Sequence, residues 1–273
     1  MNRIEETFAS LKSAGRKALI PYVMAGDPDL ETTAALVVEL DRRGADLVEL
    51  GVPFSDPIAD GPTIQRAALR ALNGGTTLRS IVETVASIRE HTEIPVVLMT
   101  YYNPVLAYGI GVFCRDAARA GVDGLIVPDL PPEEGADLSD ACRRHGLTVV
   151  FLVAPTSTSA RIELVNLHTT GFVYCVSLTG VTGARGELAE GVDAFMAQVR
   201  SHTDRPLGLG FGISSPEQAG EASRLADGVI VGSAIINVME AHAGRPDMLR
   251  SVGEYVASLR AGMDRETPVA VQG

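Results

Sequence analysis

The sequence predicts an α/β chain whose parallel strands close into a single (β/α)8 barrel. Eight short apolar runs alternate with amphipathic helical patterns along 273 residues, a length one such barrel commonly fills. A glycine repeatedly closes a helical pattern just before the next strand, at Gly44, Gly121, Gly146 and Gly171, as a tight helix-to-strand turn requires. The turn after the first strand, Met24-Ala25-Gly26-Asp27-Pro28, lacks the Gly-x-Gly-x-x-Gly of an open dinucleotide-binding sheet. An open doubly wound sheet stays the alternative.

The elements follow in order. Residues 2–14 carry Ile4, Phe8 and Leu11 at helical spacing, an extra N-terminal helix suited to covering the bottom of the core. Strands are expected near 18–24, 46–51, 94–100, 123–127, 147–153, 171–176, 206–210 and 227–231. Helices are expected between them, for example over 30–43, 77–90, 132–144 and 190–201. Short extra helices are expected after the second strand, where Pro62 suits a first helical position, and after the eighth, near Ser233. No linker or low-complexity stretch divides the chain, so one domain is expected, with a flexible tail over about 263–273.

Composition narrows the function. A formal net charge of −11 speaks against nucleic acid or an anionic membrane surface, which need clustered Lys and Arg. The only lysines, Lys12 and Lys17, lie near the N-terminus, so a Schiff-base aldolase lacks its nucleophile. His91, His145, His168 and His202 each end a predicted helix, on the barrel face remote from an active site, and His242 follows the last strand. No histidine stands at a strand end, and no metal is expected. Cys114, Cys142 and Cys175 have no metal-ligand spacing and fit reduced thiols. Glu5 and Glu6 stand where a secretory signal would be apolar, and the run 147–154 is too short to span a bilayer, so a cytoplasmic protein is expected.

The chemistry concentrates in residues 46–65. Alternation puts Leu47, Glu49 and Gly51 on one strand face and Val48, Leu50 and Val52 on the other. Glu49 is thus a carboxylate at the carboxyl end of an apolar strand, where burial without a partner is costly. It is either a rim residue, half of a buried ion pair, or a functional group. Asp60 follows in a loop stiffened by Pro53, Pro57 and Pro62. Alone it reads as a turn or capping aspartate, but with Glu49 it suggests an acid–base pair facing one pocket.

Two glycine turns follow the seventh and eighth strands, Gly208-Leu209-Gly210-Phe211-Gly212 and Val231-Gly232-Ser233. They let backbone N–H groups approach an anion where such barrels often hold phosphate, although ordinary turns would read alike. The segment 177–187 after the sixth strand, with Gly180, Gly183 and Gly186, reads as either a mobile lid or a surface loop.

These motifs closely resemble the signature of the tryptophan synthase α subunit family. The resemblance rests on Glu49-Leu50-Gly51-Val52-Pro53-Phe54-Ser55-Asp56-Pro57, Ala59-Asp60-Gly61-Pro62-Thr63-Ile64-Gln65, Gly180-Val181-Thr182-Gly183, Gly210-Phe211-Gly212-Ile213-Ser214 and Gly232-Ser233-Ala234-Ile235, in family order. It implies a TIM barrel that cleaves indole-3-glycerol phosphate to indole and glyceraldehyde 3-phosphate, with no cofactor of its own. Glu49 and Asp60 match the catalytic carboxylates. Tyr22, Ile64, Tyr101, Tyr174, Thr182 and Phe211 match the substrate pocket, and Gly183, Gly212, Gly232 and Ser233 the phosphate site. Asp56 and Pro57 match the contact with a pyridoxal-phosphate β subunit, which implies an α2β2 heterotetramer. A stand-alone lyase would share every catalytic residue, another phosphosugar barrel would share only the phosphate turns, and a non-catalytic barrel would be expected to lack a carboxylate or the lid.

Overall fold

Nine parallel strand segments form one sheet in the order β5-β4-β3-β2-β1-β9-β8-β7-β6. The structure, a computed structural model, describes residues 2–176, 191–210 and 212–266. The strands are β1 (Ala18–Met24), β2 (Val48–Gly51), β3 (Val96–Met99), β4 (Gly124–Ile126), β5 (Thr148–Val150), β6 (Leu152–Val153), β7 (Val173–Val176), β8 (Leu207–Gly210) and β9 (Gly228–Val231). The two segments at the ends of that order are halves of one strand. β5 pairs with β4 and β6 with β7, and only Phe151 separates them. Its carbonyl accepts the Tyr174 N–H at 3.1 Å, so the sheet closes into an eight-stranded barrel. The expected single strand over 147–153 is therefore interrupted where it changes partner.

Among the described residues the helices are α1 (Arg3–Ser13), α2 (Leu30–Arg42), α3 (Pro62–Asn73), α4 (Leu78–Ile88), α5 (Tyr102–Tyr108), α6 (Ile110–Ala120), α7 (Ala136–His145), α8 (Ser159–His168), α9 (Val192–Arg200), α10 (Pro216–Leu225), α11 (Ser233–Ala241) and α12 (Met248–Glu266). α3 and α11 are additional to the barrel helices, and so is α5, which the sequence reading did not anticipate. Gly109, at φ 89°, breaks α5 from α6. The helix expected over 132–144 starts only at Ala136, because the Glu134 and Gly135 N–H groups close turns onto the Pro131 and Pro132 carbonyls. At the other end α12 continues through Glu266 with Met263 buried, so residues 263–266 are helix rather than tail.

The interior is divided along the barrel axis. α1 is held by a capping box: Asn2 accepts the Ile4 and Glu5 N–H groups, and Glu5 accepts the Asn2 N–H. It buries Ile4, Phe8 and Leu11 against Ile20, Leu47, Val97, Ile126, Val150, Phe172 and Ile230. α1 is thus the floor of the barrel. His145 and His168 end α7 and α8 at this same end, and Lys17 pairs there with Asp227 at 3.3 Å. Glu49 lies beyond this apolar floor, towards the carboxyl ends of the strands. Phe8 stacks on Phe172 with ring centroids 5.5 Å apart. Removing the Phe8 ring should cost about 3 kcal/mol of stability in urea denaturation, and a loss below about 1 kcal/mol would mean the floor is not packed as described.

Candidate active site

β2 delivers Glu49 to the barrel interior. It lies in register with Tyr22 of β1 and Val97 of β3, while Val48 and Leu50 face the helix layer. Glu49 is fully buried, and neither carboxylate oxygen finds a hydrogen-bond partner among the described residues. The rim reading fails on that burial, and the ion-pair reading finds no partner among the described residues. Desolvation pushes its carboxyl up to about 8, and the nearby charge of Asp60 pushes the same way.

Asp60 precedes α3, whose N-cap is Gly61 with no side-chain cap bond, so Asp60 is not a capping residue. Burial raises its carboxyl, and a hydrogen bond from the Tyr101 phenol partly offsets this. Tyr101 does more than line a pocket. Its hydroxyl oxygen accepts the Ala59 N–H at 2.9 Å, and its ring lies 5.2 Å from that of Phe54. It therefore grips both ends of the loop 54–60, while Gln65 Nε2 donates to the Asp60 carbonyl at 2.8 Å. Tyr101 is itself placed by its neighbour: the Tyr102 N–H donates to both oxygens of Asp129, at 2.9 and 3.1 Å. Within the loop Asp56 is exposed, Pro57 is half-buried and Ile58 is 80% exposed.

The rings of Tyr22 and Tyr174 surround the pair. The buried Tyr22 phenol feels the charges of Asp60 and Glu49, and that of Tyr174 the charge of Glu49, with burial the larger effect on each. A Cβ at Gly51 would lie 2.1 Å from the Tyr22 hydroxyl, so only glycine leaves room for that ring. Ile64 packs on the cluster of Tyr22, Met24, Ala67, Ala68, Ala71 and Ile236.

Gly212 and Gly232 follow the neighbouring strands β8 and β9. Gly212 has φ 63°, a left-handed conformation that side chains disfavour. Gly232 is the N-cap of α11 and Ser233 its first residue, so the helix directs N–H groups without internal acceptors towards this end of the barrel. Thr182 and Gly183, with the rest of 177–187, and Phe211 lie outside the described residues. The structure thus brings Glu49, Asp60, Tyr22, Ile64, Tyr101 and Tyr174 together. Residue-level reading missed Gly51, Tyr101's grip on the loop and the role of Asp129; a glycine inside a strand was the one available signal.

Residues 8–263 match the family model described as tryptophan synthase alpha chain. The chain belongs to the tryptophan synthase alpha chain family. It is 54% identical over 263 residues to the tryptophan synthase alpha chain of Geobacter sp. (strain M21), covering 96% of this chain and 98% of that one. Among solved structures it resembles tryptophan synthase subunit alpha of Legionella pneumophila str. Paris, with TM-score 0.90, 42% identity, and coverage of 97% and 99%. A chain of Mycobacterium tuberculosis tryptophan synthase gives TM-score 0.88 and 40% identity, with coverage of 96% and 98%. As a tryptophan synthase alpha chain it is a lyase of tryptophan biosynthesis that cleaves indole-3-glycerol phosphate. Alpha chains of this family pair with a beta subunit.

The raised Glu49 carboxyl has a consequence for stability. The sign follows from a folded-state value of about 8 above the ordinary 4.5. The stability it allows is fully present below pH 4.5 and is lost as pH rises through 8. Glu49→Gln removes that dependence. Relative to the parent, the variant should gain about 2 kcal/mol or more between pH 5 and pH 8.5 in denaturant titrations, and a constant difference would show that Glu49 ionises freely.

Proposed function

We propose that Glu49 and Asp60 carry out the cleavage by acid–base catalysis in the retro-aldol direction. The observation that carries this is the fully buried Glu49 carboxyl, without a hydrogen-bond partner among the described residues and still protonated near neutral pH, beside the charge of Asp60. Indole C3 must gain a proton before its bond to the glycerol chain can break. Glu49 donates it. Positive charge then develops on the ring and reaches N1, where the ionised Asp60 stabilises it. The deprotonated Glu49 is left beside the adjacent hydroxyl and takes its proton. The C–C electron pair returns to the ring, and indole and glyceraldehyde 3-phosphate separate. The two carboxyl groups act differently because Glu49 sits in the apolar interior while Asp60 receives a hydrogen bond from Tyr101.

Gly212, Gly232 and Ser233, with Gly183, hold the phosphate through backbone N–H groups. Tyr22, Ile64, Tyr101, Tyr174, Thr182 and Phe211 enclose the remainder of the substrate. The chain works in the cytoplasm as the α subunit of an α2β2 heterotetramer, docking through Asp56 and Pro57 onto a pyridoxal-phosphate β subunit that consumes indole. The exposed 54–60 loop, held by Tyr101 at Asp60, supports this reading: docking at Asp56 would order the segment that places Asp60.

Glu49→Gln and Asp60→Asn should each lower kcat at least a hundredfold in an indole-release assay, a barrier increase of about 2.7 kcal/mol, while the proteins stay folded. Retention of a tenth of parental kcat by Glu49→Gln would remove it from proton transfer. At Gly232 an added Cβ would lie 3.4 Å from Tyr22 Cβ, so the branches of Gly232→Val crowd both that ring and the anion. Its KM should rise about tenfold or more, and parental affinity for glycerol phosphate would overturn the phosphate assignment. Asp56→Ala should keep the basal rate but lose most of the activation by a β subunit. A chain fully active without that subunit would instead be a stand-alone lyase.

A further inference from the structure

α3 and α11 carry the two ends of the site. α3 begins two residues after Asp60, and α11 begins at the Gly232 turn. The helices pack directly, with Ala67, Ala68 and Ala71 of α3 against Ile236 of α11 and the Tyr22 ring between the same elements. Small residues on α3 let the two axes come close. The packing does not by itself prevent one helix from sliding along the other, since alanine surfaces offer little interlocking relief.

A polar clamp supplies that restraint. Arg70 of α3 donates through Nε and Nη2 to the two oxygens of Asp27, at 2.8 and 2.7 Å. Its remaining nitrogen, Nη1, donates to Glu240 Oε1 of α11 at 2.6 Å. Arg66, one turn earlier on α3, reaches both Glu240 oxygens at 3.2 and 2.9 Å. Asp27 is only 4% exposed and sits in the turn after β1, the strand that carries Tyr22. One guanidinium thus joins three separate elements at the carboxyl end of the barrel, in a planar geometry that lysine cannot reproduce. Hydrogen bonds from Arg66 and Arg70 hold the Glu240 carboxyl below its ordinary range.

We propose that the Arg70–Asp27–Glu240 clamp is a ruler for the substrate, fixing the distance between the phosphate turn and Asp60 so that both ends of indole-3-glycerol phosphate are held at once. Arg70, Asp27 and Glu240 are positioning residues: each acts through the helix or turn that carries it. The inference rests on the assignment of Asp60 and the Gly232 turn made above. Its physical content is linkage. A substrate that engages two subsites together gains an effective concentration at the second, and that gain depends on their spacing. Either half alone is indifferent to the spacing.

The test compares the whole substrate with its halves. Glu240→Ala removes the α11 end of the clamp and leaves the bidentate Asp27–Arg70 pair intact; Glu240→Gln, which keeps the volume, serves if the alanine variant does not fold. Arg70→Lys is the companion at the other end. KM for indole-3-glycerol phosphate should rise about tenfold and kcat should fall, while the inhibition constants of glycerol 3-phosphate and of indole, measured separately, stay within about twofold of the parent. Equal weakening of all three would show a general loosening of the fold and overturn the ruler, as would no change in any. Glu49→Gln and Asp60→Asn, assayed alongside, report on the carboxylate assignment independently. If those variants lose turnover while the whole-to-half ratio is unchanged in the clamp variants, the carboxylate assignment stands and the ruler is wrong; if they stay active, the assignment itself fails and the ruler with it.

Discussion

A buried glutamic acid with no hydrogen-bond partner among the described residues is the constraint that the surrounding barrel serves. Glu49 is tolerated there because it need not ionise in the resting state: desolvation holds its carboxyl near 8. That tolerance requires the interior to stay dry around it. α1 seals the barrel from below with Ile4, Phe8 and Leu11, and the aromatic rings of Tyr22 and Tyr174 stand beside it. The same burial that destabilises the fold at alkaline pH keeps the proton on this carboxyl near neutral pH, as the proposed proton transfer needs.

The floor also explains why the site lies at only one end. With α1 occupying the amino ends of the strands, the substrate must approach from their carboxyl ends. There the chain leaves each strand for a loop, and the helices that follow present their N-termini. This end of the barrel offers two different devices. At the start of α11, after the Gly232 turn, backbone N–H groups lack internal acceptors. At the end of β2 stand carboxyl groups and rings. Gly51 joins the two regions, because its missing side chain leaves the volume that the Tyr22 ring takes as it reaches across from β1. The loop bearing Asp60 is held by Tyr101 rather than by its own prolines alone, so a group from β3's end decides where a group after β2 stands.

Most of the fold was legible in the residues. Strand positions follow from apolar runs whose two faces are both covered, helix ends from glycines such as Gly121 and Gly146 in left-handed C-caps, and the shared face of Glu49 and Leu47 from simple alternation, which the structure turns inward. The departures have local causes. α7 starts late because Pro131 and Pro132 favour successive turns, and α5 exists because Asp129, distant in sequence, caps Tyr102. The partners of that second interaction stand 27 residues apart, beyond the reach of local periodicity.

The sequence alone determined that a carboxylate would share a strand face with Leu47 and Gly51 at the end of β2, that a second would follow in a proline-bounded loop, and that glycine turns would close the last two strands. Periodicity and backbone chemistry are local properties, and each can be read from neighbours in the chain. Only the tertiary structure decided that Glu49 has no hydrogen-bond partner among the described residues, that burial holds its proton to about 8, that Tyr101 holds the loop before Asp60, and that Arg70 ties α3 to the turn after β1 and to α11. Those outcomes depend on solvent exclusion and on contacts between residues tens of positions apart, and both come into being only when the barrel closes.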